Sequence, residues 1–244
     1  MKVIYMKKIL IILLSFIITV SAATPISMAE VTTYKDYKVE DSAYFADSFG
    51  LMSGYEDGTF RPKNPITRAE FTKSLMKAAE IAYPDTKPFS IGFSDLDKSH
   101  WAYDDIAKAV SIGFINGYED GTFRPNNNIT YEQAVTMIFS VLGYRPVAEL
   151  YGGYPNAYIS LAYYNRFFKT SIEERGYVIE MNSEKQKKSI TRRDALCLLS
   201  CALTTPLCVV EDYKITFDGS KEPVYSVGGD GEVAQTLFTM KNTK

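Results

Sequence analysis

Two arginines each follow, by one place, a threonine that opens an apolar helical pattern. Arg68 stands in Thr67-Arg68-Ala69-Glu70 and Arg192 in Thr191-Arg192-Arg193-Asp194. An arginine there brings a planar fork of donors to the free N–H groups and positive dipole end of a helix, which suits a planar carboxylate. It could equally form a surface ion pair with a neighbouring acid, an interaction worth little. Thr67 and Glu70 read first as caps, with any ligand contact secondary.

The other reactive residue types form no constellation. His100 is the single histidine, stands beside Trp101, and has no nucleophile pattern near it, so no catalytic residue is expected. Asp57-Gly58 and Asp120-Gly121 are tight-turn pairs without the oxygen spacing of a calcium loop. Cys197, Cys201 and Cys208 fall within twelve residues. Cys197 and Cys201, four apart in one helical run, are poorly placed for a disulfide, and the three lack further ligands for zinc, so they read as buried thiols. No metal or cofactor is expected. Trp101, Phe60 and Phe123 read first as core rings.

What positions the arginines is a stretch that occurs twice. Gly54-Tyr55-Glu56-Asp57-Gly58-Thr59-Phe60-Arg61-Pro62 recurs letter for letter from Gly117 to Pro125, 63 places on. Each copy leads to an Ile-Thr that opens a helix, at Ile66-Thr67 and Ile129-Thr130. Identity in register over such a period marks stacked repeat units. Before the first copy a short helix runs from Asp41 through Ala46 and Phe49, with Gly54 able to supply left-handed backbone at its end. Thr67 with Glu70 forms a capping box, and Phe71, Leu75, Met76 and Ala79 give the apolar stripe of the helix that follows.

The second unit starts at Phe93-Ser94-Asp95 and Trp101-Ala102. Ile106, Ala109, Val110 and Phe114 mark one helix; Val135, Ile138, Phe139 and Leu142 mark another, capped by Thr130 with Gln133 and stopped at Gly143. In a third, degraded unit Tyr154, Ile159 and Ala162 correspond to Trp101, Ile106 and Ala109 at an offset of 53, and Ile190-Thr191 to Ile129-Thr130 at 61. The difference is an insertion within Ser171–Ser189. Thr191 with Asp194 is a weaker third cap. The expected fold is mostly α: three helix–loop–helix units, at 35–83, 90–146 and 150–206, sharing one core because none is large enough alone. Beyond them, at 207–244, Val209, Val210, Ile215, Val224 and Val227 alternate with polar residues as short strands do, giving a β-prone extension or the start of a truncated module.

Residues 1–23 form a separate segment. Lys7 and Lys8 precede an apolar run from Ile9 to Val20 and then Ser21-Ala22-Ala23, the layout of a secretory signal peptide, with Ala29 as a second credible cleavage point. Residues 24–34 read as a leader. Loss of Lys2, Lys7 and Lys8 moves the formal charge from −2 to −5. A mildly acidic chain argues against a nucleic-acid partner, and none in the membrane is expected after cleavage.

Together, Phe93-Ser94-Asp95, Trp101-Ala102, the duplicated stretch and Ile66-Thr67-Arg68-Ala69-Glu70 resemble the S-layer homology (SLH) family over about residues 35–206. The resemblance implies a pseudo-threefold helical bundle on an exported protein. Grooves between its repeats would bind a secondary cell-wall polysaccharide, often pyruvylated, and so hold the protein non-covalently at the cell wall. It implies binding roles for Thr67, Arg68, Glu70 and Arg192. Tyr131 stands where the second repeat would carry the arginine, so that groove would be weak or bind by stacking. Trp101 is carried as a further contact. Glu30 and Lys38 align with Phe93 and Trp101, so the first repeat's lead-in segment departs from the pattern. The rival readings are a tether for a longer envelope enzyme, such as a glycan hydrolase continuing past Lys244, or a lattice-forming surface protein that self-associates.

Overall fold

The computed structural model describes residues 34–36, 46–47, 49–80, 83, 90–165, 183–215, 221–227 and 236–237. The signal segment, nearly all of the leader, most of the first short helix and most of the third-unit insertion lie outside these residues.

Three capped helices form the centre: α1 (Arg68–Ala79), α3 (Tyr131–Val141) and α7 (Arg192–Thr204). All three capping boxes close. In α1 the Glu70 N–H donates to Thr67 Oγ1 at 3.2 Å, and the Thr67 N–H donates to Glu70 Oε2 at 2.8 Å. The third cap is no weaker than the second: Thr191 N–H reaches Asp194 Oδ2 at 2.9 Å, whereas Thr130 N–H reaches Gln133 Oε1 at 3.3 Å.

The residue before each cap is an isoleucine, and the three isoleucines close a backbone ring. Ile66 N–H donates to the Ile190 carbonyl at 3.2 Å, Ile129 N–H to Ile66 at 3.1 Å, and Ile190 N–H to Ile129 at 3.0 Å. All three side chains are fully buried, so the ring is apolar within and bonded around its rim. The next amides continue the pattern. Arg68 N–H donates to the Asn127 carbonyl, Tyr131 N–H to Lys188 and Arg192 N–H to Asn64. Helix-start amides that would otherwise lack partners are thus satisfied by the loop of the neighbouring unit. Each central helix packs against the other two.

The outer helices interlock the units. α2 (Tyr103–Ser111), from the second unit, packs on α1 of the first; α5 (Asn156–Tyr164), from the third, packs on α3 of the second. Ala46 in the first unit donates its N–H to Ser200 Oγ on α7 at 2.9 Å, closing the cycle. The bundle is therefore pseudo-threefold. A helix not anticipated from sequence, α4 (Arg145–Leu150), follows Gly143, with Pro146 in its first turn and an Arg145–Glu149 pair at 2.9 Å. A short α6 (Ser183–Gln186) precedes the third cap. The extension forms an antiparallel hairpin, β1 (Cys208–Ile215) with β2 (Lys221–Val227), broken by a bulge between Val210 and Asp212. Cys208 N–H ties it to the Leu142 carbonyl at 2.8 Å.

The duplicated stretch is a self-bonded turn. Asp120 accepts from the Thr122 N–H at 3.0 Å and hydroxyl at 2.6 Å, and pairs with Arg124 at 2.8 Å; Asp57, Thr59 and Arg61 repeat this. Arg61 and Arg124 both hold positive φ, at 55° and 60°. Asp36 and Asp95 fix that backbone by accepting from the N–H groups of Phe60 and Arg61, and of Phe123 and Arg124. Two expectations change here. The left-handed glycine after the first short helix is Gly50, at φ 62°, not Gly54, and Gly113 holds the equivalent place after α2. A Cβ on Gly54 or Gly117 would overlap the ring of Tyr34 or Phe93, so close approach fixes those glycines. And the first lead-in segment does conform: Tyr34 lies on Phe60 as Phe93 lies on Phe123, with centroids 5.0 and 5.5 Å apart. It is displaced four places from the ungapped alignment, so Glu30 was the wrong equivalent.

Candidate functional site

Two cavities open between units, and equivalent residues line them. The larger, about 650 Å³, lies between units 1 and 2, with Tyr154 of unit 3 at its edge, and is lined by Arg68, Tyr118, Gln133, Met137 and Arg145 among others. Arg68 is only 7% exposed. Its Nη2 donates to the Asn116 carbonyl at 2.7 Å, and Nη1 lies 3.9 Å from Met137 Sδ. The guanidinium carbon stands 4.7 Å from the Phe123 ring centroid and 5.3 Å from that of Tyr118. Nε is buried without a hydrogen-bond partner among the described residues. Arg68 also makes no ion pair among them, and burial pulls its pKa below the ordinary arginine value. The other arginines here are committed, Arg124 to Asp120 and Arg145 to Glu149. Gln133 Nε2 donates to the Tyr118 hydroxyl at 3.0 Å. Across the opening, the half-exposed Tyr154 donates to Glu132 at 2.9 Å. Burial, and then that carboxylate, raise its pKa.

The smaller cavity, about 350 Å³, lies between units 3 and 1. Arg192 forms its floor at 4% exposure, donating from Nε to the Phe60 carbonyl at 2.8 Å and from Nη2 to Ser53 at 2.7 Å. Its Nη1 stands 3.5 Å from Glu70 Oε1. Ser53, Tyr55 and Glu70 stand 63 places before Asn116, Tyr118 and Gln133. Trp101 takes the place of Tyr154. The expectation that Trp101 is a core ring is corrected: it is 55% exposed with Lys73 Nζ 5.3 Å from its centroid, while Phe60 and Phe123 are fully buried.

A third pairing completes the cycle without an open guanidinium. Tyr131 on α3 hydrogen-bonds Asp194 on α7; burial first, and then that carboxylate, push the phenol's pKa far up. Burial raises the Asp194 pKa in turn. In two cases the first residue of one central helix meets the third residue of the next, Tyr131 with Asp194 and Arg192 with Glu70; Arg68 and Gln133 hold the equivalent places and line the same cavity. Of the residues singled out in the sequence, Arg68, Arg192, Glu70 and Trp101 border the two cavities. Thr67 is engaged with Glu70, its hydroxyl 3.0 Å from Oε2. Tyr55, Tyr118, Gln133 and Tyr154 were missed as site residues. For Gln133 and Tyr154 the signal was present, in the repeat-equivalent places of Glu70 and Trp101; Tyr55 and Tyr118 are equivalent only to each other, within the duplicated stretch.

Residues 42–72 and 92–135 match the family model described as "S-layer homology domain". Both segments are S-layer homology repeats. The third unit, outside the matched segments, supplies the same cap and ring bond to the bundle. The chain is 35% identical over 151 residues to Cell surface glycoprotein 1 of Acetivibrio thermocellus, covering 58% of this chain and 6% of that protein. It is 38% identical over 115 residues to the Cellulosome-anchoring protein of the same organism, covering 43% of this chain and 25% of the relative. It is 32% identical over 127 residues to an Endoglucanase of Bacillus sp., covering 50% and 13%. This chain thus spans a quarter or less of the length of each of these relatives. Among the described residues no helix is long and apolar enough to cross a membrane.

Proposed function

We propose that this SLH bundle attaches an exported protein non-covalently to the cell wall, by taking glycan residues of a secondary cell-wall polysaccharide into the grooves between its units. The observation that carries the reading is the pair of equivalent grooves. Each sets a buried arginine beside a helix N-terminus on its floor, a tyrosine over that arginine, and a half-exposed aromatic across the opening. Sugar rings present apolar faces to aromatics and hydroxyls to carbonyls and amides. A pyruvate ketal would add the carboxylate that a guanidinium suits. In this reading Arg68, Arg192, Trp101 and Glu70 touch or border the glycan, Thr67 holds Glu70 in place, and Tyr131 serves the bundle. The family match and the surface and anchoring proteins among the relatives support attachment at the cell surface as the role of these repeats.

The test is co-sedimentation of the chain lacking residues 1–23 with purified cell-wall sacculi. It should pellet with sacculi carrying the polysaccharide and stay in solution with sacculi stripped of it. Equal binding to both would overturn the assignment of the polysaccharide as ligand.

A further inference from the structure

Arg68 and Arg192 hold equivalent places, yet differ in what balances their charge. Arg192 donates from Nε and Nη2 to two carbonyls and faces the Glu70 carboxylate at 3.5 Å. In the groove between units 1 and 2 the counterpart of Glu70 is Gln133, a neutral amide turned to the Tyr118 hydroxyl. Arg68 keeps one strong hydrogen bond, to Asn116; its Nε has none, and no carboxylate reaches it among the described residues. In the third pairing a phenol faces the Asp194 carboxylate. The three places therefore hold a buried cation without a counterion, a carboxylate bonded to a neutral hydroxyl, and a compensated ion pair.

A buried charge lacking both counterion and full hydrogen bonding is costly, and an incoming anion relieves that cost. Resting on the polysaccharide reading above, we infer that only the groove between units 1 and 2 takes an anionic substituent, and that Gln133 is the specificity-determining residue that leaves Arg68 available for it. The groove between units 3 and 1 accepts uncharged sugar, and each chain binds one anionic residue. Rim charge argues the opposite way. Lys73 and Lys77 border the smaller groove, whereas Arg124 and Arg145 at the larger one are already paired. Lys77 is exposed and Lys73 only half-buried, beside the exposed Trp101 ring, so screening weakens both more than it does Arg68, which is 7% exposed. The inference gives the decision to the buried floor.

Both exchanges that test it keep the caps. Gln133 and Glu70 each accept their cap N–H through one oxygen, so Gln133→Glu and Glu70→Gln retain that bond. Protein with 15N-labelled arginine is titrated with sodium pyruvate, following the Nε–Hε signals of Arg68 and Arg192, assigned with Arg68→Lys and Arg192→Lys. In the unsubstituted chain the Arg68 signal should move and saturate while that of Arg192 stays. Gln133→Glu should weaken the Arg68 response at least tenfold, and Glu70→Gln should make Arg192 respond. A stationary Arg68 signal, an equal response from Arg192, or a Gln133→Glu chain that responds like the original would each overturn the inference. Sacculus binding is scored separately. Signals that behave as expected without sedimentation would remove the anchoring reading and leave the charge assignment standing. Sedimentation that Gln133→Glu leaves unchanged would do the reverse.

Discussion

Asp120 shows how much of the duplicated stretch is settled by single residues. Its carboxyl is held down to about 2, first by the Thr122 hydroxyl, then by Arg124 and the Thr122 N–H. Asp57 and Asp36 are lowered by similar bonds. A carboxyl whose folded pKa lies below its unfolded value, about 3.9, contributes stability above that value and loses it as pH falls toward the folded one. Thermal melts should therefore show stability falling between about pH 4 and about pH 2, and Asp120→Asn should make that fall shallower. An unchanged pH profile for the variant would disconnect the turn from folding. Gly117 and Gly121 give a second contrast. A methyl on Gly117 meets the Phe93 ring and the Thr122 carbonyl, whereas Gly121 faces open space and carries only its positive φ of 78°. Gly117→Ala should cost roughly 1–3 kcal/mol by overpacking, and Gly121→Ala less than that, as measured by chemical denaturation. Arg192 adds a caution about alanine. Its removal would leave the Phe60 and Ser53 carbonyls without their donor. Arg192→Ala should thus lose roughly 2 kcal/mol of stability or more, and weakened binding by that variant would not isolate a ligand contact.

At the scale of elements, the caps carry the argument. Thr130→Ala removes the acceptor for the Gln133 N–H and should destabilise the protein by about 1 kcal/mol, read from the denaturant midpoint; no shift would mean neighbouring carbonyls alone hold that helix start. All three caps were legible in the sequence because a capping box is local: a threonine and an acid or amide three places on suffice. Helices α2 and α5 were legible at their offset of 53 because the apolar spacing survives in the third unit. What the sequence concealed depends on a neighbour. Trp101 reads as core by residue type, but its ring stands at the edge of a groove whose floor comes from unit 3. Gly54 looks like a helix end until Tyr34 is seen lying on it. Tyr34 itself stayed hidden because a four-residue shortening breaks the register between Asp36 and Ala46. The contrast between Gln133 and Glu70 was visible as letters. Its meaning required the pairing of each helix's third residue with the first residue of the preceding unit's central helix.

At the scale of the whole molecule, the closed cycle governs how the bundle unfolds. A linear repeat array can lose a terminal unit while the remainder persists, because each unit touches only its neighbours. Here unit 1 meets both others: Ile66 N–H is held by Ile190 and its carbonyl by Ile129, while Ala46 bonds to Ser200 on α7. Opening any unit breaks two of the three ring bonds and exposes isoleucines that are fully buried. Each exposed isoleucine side chain forfeits about 1.5–3 kcal/mol. No stable two-unit remainder should be left, and the groove between units 1 and 2 should persist only while unit 3 is in place. Native-state hydrogen exchange reads this directly. The amides of Ile66, Ile129 and Ile190 should share one opening free energy, equal to that of global unfolding, and should respond to denaturant with the same steep slope. Exchange of Ile190 at a distinctly lower free energy than Ile129 would show unit 3 detaching on its own and would reduce the ring to a local contact. Ile129→Ala sharpens the test. It should cost about 2–5 kcal/mol and lower all three amides equally, although Ile66 and Ile190 belong to other units.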